Sequence, residues 1–255
     1  MKHLNRARIS ALQILAEYYC LQNKDIAKIF RRREPTPSDL RDARRNMVAL
    51  LSEGLVNRLP YFDLQTEGVG WVYGLSDKGV MDYGGKTFDE HSARTLDHEL
   101  EISNFHIALK PLCDERGLEL YWQQTELKRG IHPDALFALT NAKGTYYFFL
   151  EIEKSKPGKY VNGEPGIIRK LAKYAEYYDT DQCGKDWNFR KFRVVIVQTN
   201  DTRRHNLLKA LRENEKLNRR MFWLTIDPFY KGDIGGEIFR TPADPETGRY
   251  SFLLL

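Results

Sequence analysis

Apolar residues in the first 55 positions recur at helical spacing and predict three helices. The first spans residues 5–18 and the second residues 25–30, with Asn23 as its cap. The third begins after its cap, Ser38, and ends at Gly54. Its apolar residues lie mostly three or four positions apart: Leu40, Ala43, Met47, Leu50 and Leu51. The chain is therefore predicted to open with a three-helix unit.

Two short strands are predicted directly after the third helix. They comprise residues 55–59 and 71–75, with a glycine-containing loop between them, and residues 76–79 close the unit. Three helices followed by a β-hairpin resemble a winged helix-turn-helix, and this resemblance covers about residues 5–83. Such a fold implies DNA binding, with the third helix as the recognition helix.

The rest of the chain alternates between helical and strand patterns. A polar, glycine-containing linker at residues 84–92 predicts a domain boundary, which gives domains of residues 1–85 and 86–255. Helices are predicted at residues 96–109, ending before Pro111, and at 166–178 and 203–214. Strands are predicted at residues 118–122, 134–139, 146–152, 192–197 and 221–225. This alternation predicts an α/β domain with a mixed central sheet.

Composition narrows the class of protein. The chain has 255 residues, 42% of them hydrophobic, which is enough for one large or two modest cores and argues against disorder. No apolar run approaches the ~18 residues of a membrane span, and the first residues lack an apolar signal core. Three widely separated cysteines fit no disulfide framework. These features predict a reduced, cytoplasmic protein without a membrane partner.

The net charge of +5 is informative only through its distribution. Residues 24–45 contain eight lysines and arginines against four acids, a net charge of +4 around the turn and third helix. In a helix-turn-helix this surface faces DNA phosphates and the major groove. The arginines predicted to bind DNA are Arg31, Arg32, Arg33, Arg41, Arg44 and Arg45. The alternative is a solvated helix face. A second basic stretch, residues 203–220, could extend a DNA path or be an exposed helix.

Three carboxylates are predicted to meet at one end of the sheet. Asp134 begins a strand, whereas Glu151 and Glu153 end the next one. A hairpin turning at residues 141–144 returns the second strand to the start of the first, and alternation places Glu151 and Glu153 on one face. Crowded carboxylates repel unless a cation lies between them, and Mg²⁺ (or Mn²⁺) is suited to such oxygen ligands. This pattern favours metal-dependent phosphodiester cleavage, with a nearby lysine stabilising charge.

These residues resemble the motif of the PD-(D/E)xK nuclease superfamily, here Pro133-Asp134 followed by Glu151-x-Glu153-Lys154. The resemblance implies a restriction-endonuclease-like domain in which Asp134 and Glu151 bind metal. It also implies that Glu99, on the first helix of that domain, is a candidate ligand. The usual lysine position holds Glu153, so Lys154 lies one place late, and Lys170 on the following helix is a possible substitute.

Several stretches in order resemble the replication-relaxation family of bacteria. They are TLDHEL at 95–100, HPDALF at 132–137, FLEIE at 149–153, KLAKYAEYY at 170–178 and RRHNLL at 203–208. The resemblance implies plasmid or mobile-element proteins that act at replication or transfer origins, some similar to conjugative relaxases of the MobC type. The partners implied are double-stranded DNA at such an origin and other relaxosome proteins.

Three functions remain open at this level. The first is an origin-binding protein with a metal-dependent nicking domain. The second is a non-catalytic origin-binding accessory protein or transcriptional regulator that uses the nuclease-like fold as a platform. The third is a transcription factor whose second domain senses a ligand. Because their spacing is helical, Tyr174, Tyr177 and Tyr178 are predicted to pack on the sheet. The lack of a histidine triad argues separately against a tyrosine relaxase mechanism.

Overall fold

The computed structural model describes residues 4–63, 68–89, 95–123, 131–154, 166–217 and 220–254. The contacts divide the chain into two compact units, Met1–Ile107 and Ala108–Leu255. This division differs from the sequence-based boundary after Gly85. It differs because Leu96 and Leu100, which follow the predicted linker, pack in one hydrophobic cluster with Cys20, Val72 and Phe88 of the first unit.

The first unit combines helices with a small antiparallel sheet. Its elements are α1 (Arg6–Tyr18), β1 (Cys20–Gln22), α2 (Asn23–Arg31), α3 (Pro37–Ser52), β2 (Val56–Asp63), β3 (Gly68–Leu75), α4 (Asp77–Tyr83) and the start of α5 (Leu96–Arg116). The strand order is β1-β3-β2. The three predicted helices and the hairpin are present, in the order of a winged helix-turn-helix. Strand β1, with three residues, is too short to give a periodic sequence pattern.

Two helix caps differ from their predicted positions. Helix α3 begins at Pro37, so Thr36 rather than Ser38 is its cap, and the Thr36 side chain accepts a hydrogen bond from the backbone N–H of Asp39. The Asp39 carboxylate in turn accepts from the Thr36 N–H at 2.9 Å, which completes a capping box. Proline is favoured at the first helical position, since the N–H it lacks has no helical partner there. Helix α2 likewise begins at Asn23, its predicted cap, so Gln22 is the cap residue.

The second unit is built on one five-stranded sheet. Its elements after α5 are β4 (Glu119–Gln123), β5 (Ala135–Asn141), β6 (Gly144–Glu153), α6 (Gly166–Asp179), α7 (Gln182–Trp187), β7 (Phe192–Gln198), α8 (Asp201–Glu213), β8 (Phe222–Ile226) and α9 (Asp227–Asp233). The strand order is β4-β5-β6-β7-β8. Strands β4, β5 and β6 pair antiparallel, whereas β6, β7 and β8 pair parallel. The mixed central sheet predicted from the sequence is confirmed.

Helix α5 runs past its predicted end. The sequence predicts a stop before Pro111, but the helix continues to Arg116 with the proline inside it. Proline removes one backbone hydrogen bond and strains the preceding turn. Leu109 and Cys113, which flank it, are almost completely buried. The burial of these two side chains offsets the cost of the proline, so the prediction of a helix end at residue 109 is wrong.

One face of the large sheet, here called the α6 face, packs against helices. On it Phe192, Val194 and Ile196 of β7 lie in one hydrophobic cluster with Leu171 of α6 and Leu208 of α8. Because side chains alternate along a strand, the residues at positions 149, 151 and 153 of β6 share this face. The three parallel strands end at one edge of the sheet, and the acidic residues of β6 lie at that edge.

Two further observations concern membrane insertion and thiol chemistry. Within the described ranges, no helix has both the length and the apolar character needed to cross a membrane. Cys20, Cys113 and Cys183 are free thiols and are buried. Burial raises the pKa of Cys113 and of Cys183 to about 12, which makes these thiols poor nucleophiles.

Candidate functional site

The β5–β6 hairpin fixes the Asp134 carboxylate beside Glu151. The backbone N–H of Asp134 donates to the carbonyl of Leu150 at 3.0 Å, which extends the antiparallel ladder by one residue. The backbone N–H of Ile152 donates to Asp134 Oδ2 at 2.6 Å. The turn is short, because Asn141 and Gly144 are paired residues and Asn141 Oδ1 accepts from the N–H of Lys143. The Asp134 side chain is therefore held against the end of β6.

Glu151 is bound on both of its oxygens by side chains from α6. Lys170 Nζ donates to Glu151 Oε2, and the Tyr174 hydroxyl donates to Glu151 Oε1. Lys170 and Tyr174 are four residues apart, so they lie on the same face of the helix. Glu151 is 3% exposed, whereas the side chain of Lys170 is 32% exposed. The ion pair therefore joins a buried carboxylate to an ammonium group that still reaches solvent.

The electrostatics of Glu151 are unusual for a carboxylate. Burial and, next, the negative charge of Asp134 raise its pKa to about 8, although Lys170 and Tyr174 act in the opposite direction. Burial and the Glu151 charge also raise the pKa of Tyr174 well above its ordinary value. Tyr174 is fully buried. A buried phenol with a raised pKa is a hydrogen-bond donor to Glu151 and a poor nucleophile.

The Asp134 and Glu151 carboxylates fit a hard divalent cation. Among the described residues, no group of three or more His, Cys, Asp or Glu is arranged to hold a metal ion. Mg²⁺, however, commonly binds through only one or two carboxylates and completes its shell with water and substrate phosphates. Ionised Glu151 is destabilised by burial and by the Asp134 charge. A bound cation would relieve both effects, which makes the pair suitable for Mg²⁺ or Mn²⁺.

The other acids and the second lysine of the sequence motif have different positions. Glu153 is the last residue of β6 and is half-buried on the α6 face. Lys154 follows it and is also half-buried, but the lysine paired with Glu151 is Lys170. Glu99 lies on α5 within the first unit, where its charge contributes to a raised pKa of Cys20. The proposed metal role of Glu99 stays a prediction.

The predicted DNA-binding arginines fall into two groups. Arg31 and Arg33 ion-pair with Asp39 at 2.7 and 3.0 Å, and Arg45 pairs with Asp42 at 2.6 Å. Hydrogen bonds from Thr36, followed by the charges of these arginines at Asp39, hold the pKa of Asp39 well below its ordinary value. Arg31 and Arg33 therefore also stabilise the turn between α2 and α3, whereas Arg45 forms its ion pair within α3.

Arg32, Arg41 and Arg44 form the second group. They are exposed, and within the described part of the chain they have no ion-pair partner. Arg41 and Arg44 are three residues apart on the outer face of α3, whereas Ala43 and Met47 point into the core. The outer face of α3 thus presents two unpaired guanidinium groups, which are the residues best placed to contact a polyanion.

Sequence reasoning missed the role of Tyr174. It assigned this tyrosine to packing on the sheet, and Tyr174 does pack against Phe149. Its hydroxyl also donates to Glu151, so it belongs to the same cluster as Lys170. The signal was present in the sequence as a lysine and a tyrosine four residues apart on an amphipathic helix. Only the position of that helix over β6 shows that both side chains reach one carboxylate.

The model of the replication-relaxation family matches residues 12–191. The chain belongs to this family. Membership indicates a role in DNA processing, in replication or in mobile elements. The matched range includes α3 of the first unit and Asp134, Glu151, Lys170 and Tyr174 of the second. It therefore covers both regions in which the sequence predicts functional residues.

Comparisons with individual proteins are less informative about function than the family match. No curated protein matches this replication-relaxation protein. Among solved structures, the DNA-bound restriction endonuclease FokI is similar with a TM-score of 0.35 and 12% identity, over 88% of this chain and 43% of that one. FokI itself is similar with a TM-score of 0.32 and 12% identity, over 86% and 42% of the two chains. The chain thus spans less than half the length of these FokI structures.

Proposed function

We propose that this replication-relaxation protein binds double-stranded DNA at a plasmid or mobile-element origin and nicks it by metal-dependent phosphodiester cleavage. The observation that carries the proposal is the buried Glu151 carboxylate, which is coupled to Asp134 and bound by Lys170 and Tyr174. Two carboxylates and a lysine, drawn from a hairpin and the helix that follows it, are the groups that such cleavage requires. The first unit supplies DNA binding in this proposal.

Each residue of the cluster has a distinct task. Asp134, oriented by the Ile152 N–H, and Glu151 would hold Mg²⁺ or Mn²⁺, which supplies charge stabilisation and lowers the pKa of a bound water. Lys170 reaches solvent and can neutralise charge that develops on the phosphate. Tyr174 orients Glu151 from within the core. Glu153 ends β6 and Lys154 follows it, two and three positions after Glu151 in the chain.

Binding to DNA is assigned to the outer face of α3. Arg41 and Arg44 are exposed and unpaired with described residues, and Arg32 lies at the end of α2. Guanidinium groups bind phosphates and guanine edges in a bidentate manner. At a transfer origin the protein would act together with other relaxosome proteins.

One feature favours a second candidate, an origin-binding protein without nuclease activity. Glu153 occupies the position at which the nuclease motif has its lysine, so the catalytic lysine must come from α6. If Lys170 serves only to stabilise the buried Glu151, the second unit is a platform for DNA or protein. The two candidates differ in whether DNA is cut.

A plasmid assay separates the two candidates. Supercoiled plasmid that carries the native origin is incubated with Mg²⁺ or Mn²⁺ and either the wild-type protein or Asp134→Ala. The proposal expects relaxed circles from the wild type only, with the origin DNA shifted equally by both proteins in a gel. If the wild type shifts origin DNA but yields no relaxed circle with either metal, the cleavage proposal fails and the platform function is favoured.

A further inference from the structure

Gln198 lies in the strand next to the acidic cluster, at the same edge of the sheet. It is the last residue of β7 and is the register partner of Glu153 in β6. It alternates with Val194 and Ile196, which pack in the cluster under α6, so its side chain is on the α6 face with Glu151 and Glu153. Neighbouring strands are about 4.8 Å apart. Gln198 therefore lies beside Glu153 in the sheet, on the face that both residues share with Glu151.

The carboxamide of Gln198 is buried without hydrogen bonds. The residue is 1% exposed, and neither Oε1 nor Nε2 has a hydrogen-bond partner among the described residues. Buried amides in native proteins are almost always satisfied by protein groups, ordered water or a ligand, since an unsatisfied amide costs free energy. An apolar side chain would fill this position without that cost. The presence of an amide therefore points to a bound species.

Thr225 offers an internal comparison. Its hydroxyl is also fully buried and lacks a partner among the described residues. It lies in β8 between Leu224 and Ile226, and Leu224 is part of the cluster on the α6 face, so Thr225 points to the opposite face. Gln198 is thus an unsatisfied buried group on the face of the sheet that carries Glu151, whereas Thr225 supplies a control on the opposite face.

We propose that Gln198 hydrogen-bonds the water shell of a divalent cation held by Asp134 and Glu151. This inference rests on the proposed metal site. Mg²⁺ and Mn²⁺ bound by two carboxylates retain several waters, which need hydrogen-bond partners. A carboxamide provides a donor and an acceptor and adds no charge to the coupled carboxylates. Such partners outside the direct ligands commonly change metal affinity or activity by 10- to 100-fold.

The test is a calorimetric titration of the metal-free full-length protein with Mn²⁺. Gln198→Met keeps an unbranched side chain of similar size but removes both hydrogen-bonding atoms. It is expected to bind Mn²⁺ about 10-fold more weakly than the wild type. Thr225→Val is expected to bind Mn²⁺ with wild-type affinity. Gln198→Glu, which retains an acceptor, is expected to bind Mn²⁺ at least as tightly as the wild type. If Gln198→Met fails to fold, as judged by circular dichroism, Gln198→Leu takes its place.

The same variants are then assayed for nicking under single-turnover conditions. Equal Mn²⁺ affinity of Gln198→Met and wild type would overturn the inference, even if both proteins nick DNA. The inference is also overturned if the wild type does not bind Mn²⁺. If Gln198→Met binds Mn²⁺ more weakly but no protein nicks DNA, the role of Gln198 stands and the proposed cleavage fails. If Gln198→Met binds Mn²⁺ more weakly and nicks DNA more slowly than the wild type, both the role of Gln198 and the proposed cleavage are supported.

Discussion

Replacement of Glu151 by glutamine is expected to stabilise the metal-free protein at alkaline pH. Burial, together with the Asp134 charge, raises the pKa of Glu151 from its ordinary 4.5 to about 8. Below pH 4.5 the carboxyl group is protonated in the folded and in the unfolded state. Between the two values the unfolded chain releases the proton and the folded chain keeps it, so the stability of the wild type falls as pH rises and levels off above about pH 8.

The size of the effect follows from the pKa difference. A difference of 1 between the pKa values of the folded and unfolded states corresponds to about 1.4 kcal/mol in the free energy of unfolding. The raised pKa of Glu151 therefore lowers the stability of the wild type by roughly 5 kcal/mol above pH 8. Glutamine resembles the protonated carboxyl group in shape and charge, and Lys170, whose side chain is 32% exposed, can turn to solvent when its partner becomes neutral. Glu151→Gln should therefore match the wild type near pH 5 and exceed it by up to that amount at pH 9.

Urea unfolding in the presence of EDTA at pH 5, 7 and 9 measures this difference. Of the four tryptophans, Trp122, Trp187 and Trp223 lie in the second unit and Trp71 in the first, so most of the fluorescence change reports unfolding of the second unit. Glu176→Gln is the matched control, because Glu176 is exposed on α6, and its midpoint should follow the wild type at every pH. A Glu151→Gln midpoint that runs parallel to the wild type, or that lies below it at pH 9, would refute the assignment of a raised pKa.

Three further outcomes are expected. Replacement of Arg41 and Arg44 by alanine should weaken origin binding and reduce the slope of log K against log salt by about 2. Because the Arg45 side chain pairs with Asp42, Arg45→Ala should reduce this slope less. Gel-shift titrations at several salt concentrations measure both slopes. Tyr174→Phe should lower the free energy of unfolding by about 1–3 kcal/mol and still yield relaxed circles, and a complete loss of nicking in a folded variant would contradict its assignment as a donor. Millimolar Mn²⁺ should raise the melting temperature of the wild type but not of Asp134→Asn, and an equal rise in both would place the metal elsewhere.

Much of the second unit could be predicted from the sequence because its strands are long and apolar. Strands β6 and β7 each contain four or more buried residues in a row, and the short turn between Asn141 and Gly144 limits how β5 and β6 can pair. Once that hairpin is assumed, Asp134 and the end of β6 must be close. The first unit was predictable for a similar reason, since α1 and α3 carry clear apolar stripes.

The remaining features depend on tertiary contacts. Lys154 and Lys170 were both possible partners of Glu151, and only the placement of α6 over β6 brings Lys170 Nζ to the carboxylate. The sequence predicts all six arginines around α3 to bind DNA, but Asp39 and Asp42 bind three of them. The division of the chain after Ile107 depends on where Leu96 and Leu100 pack, which no local pattern reports.

We propose that the Glu151–Lys170 pair lies at the reaction centre of a metal-dependent nuclease. The most direct measurement is the single-turnover nicking rate of origin plasmid in Mg²⁺ and in EDTA, for the wild type, Lys170→Met and Lys173→Met. Lys173 is exposed on the same helix and serves as the control. We expect nicking in Mg²⁺ but not in EDTA, a loss of about 100-fold or more in Lys170→Met, and a rate close to wild type in Lys173→Met. A folded Lys170→Met that nicks at the wild-type rate would contradict it.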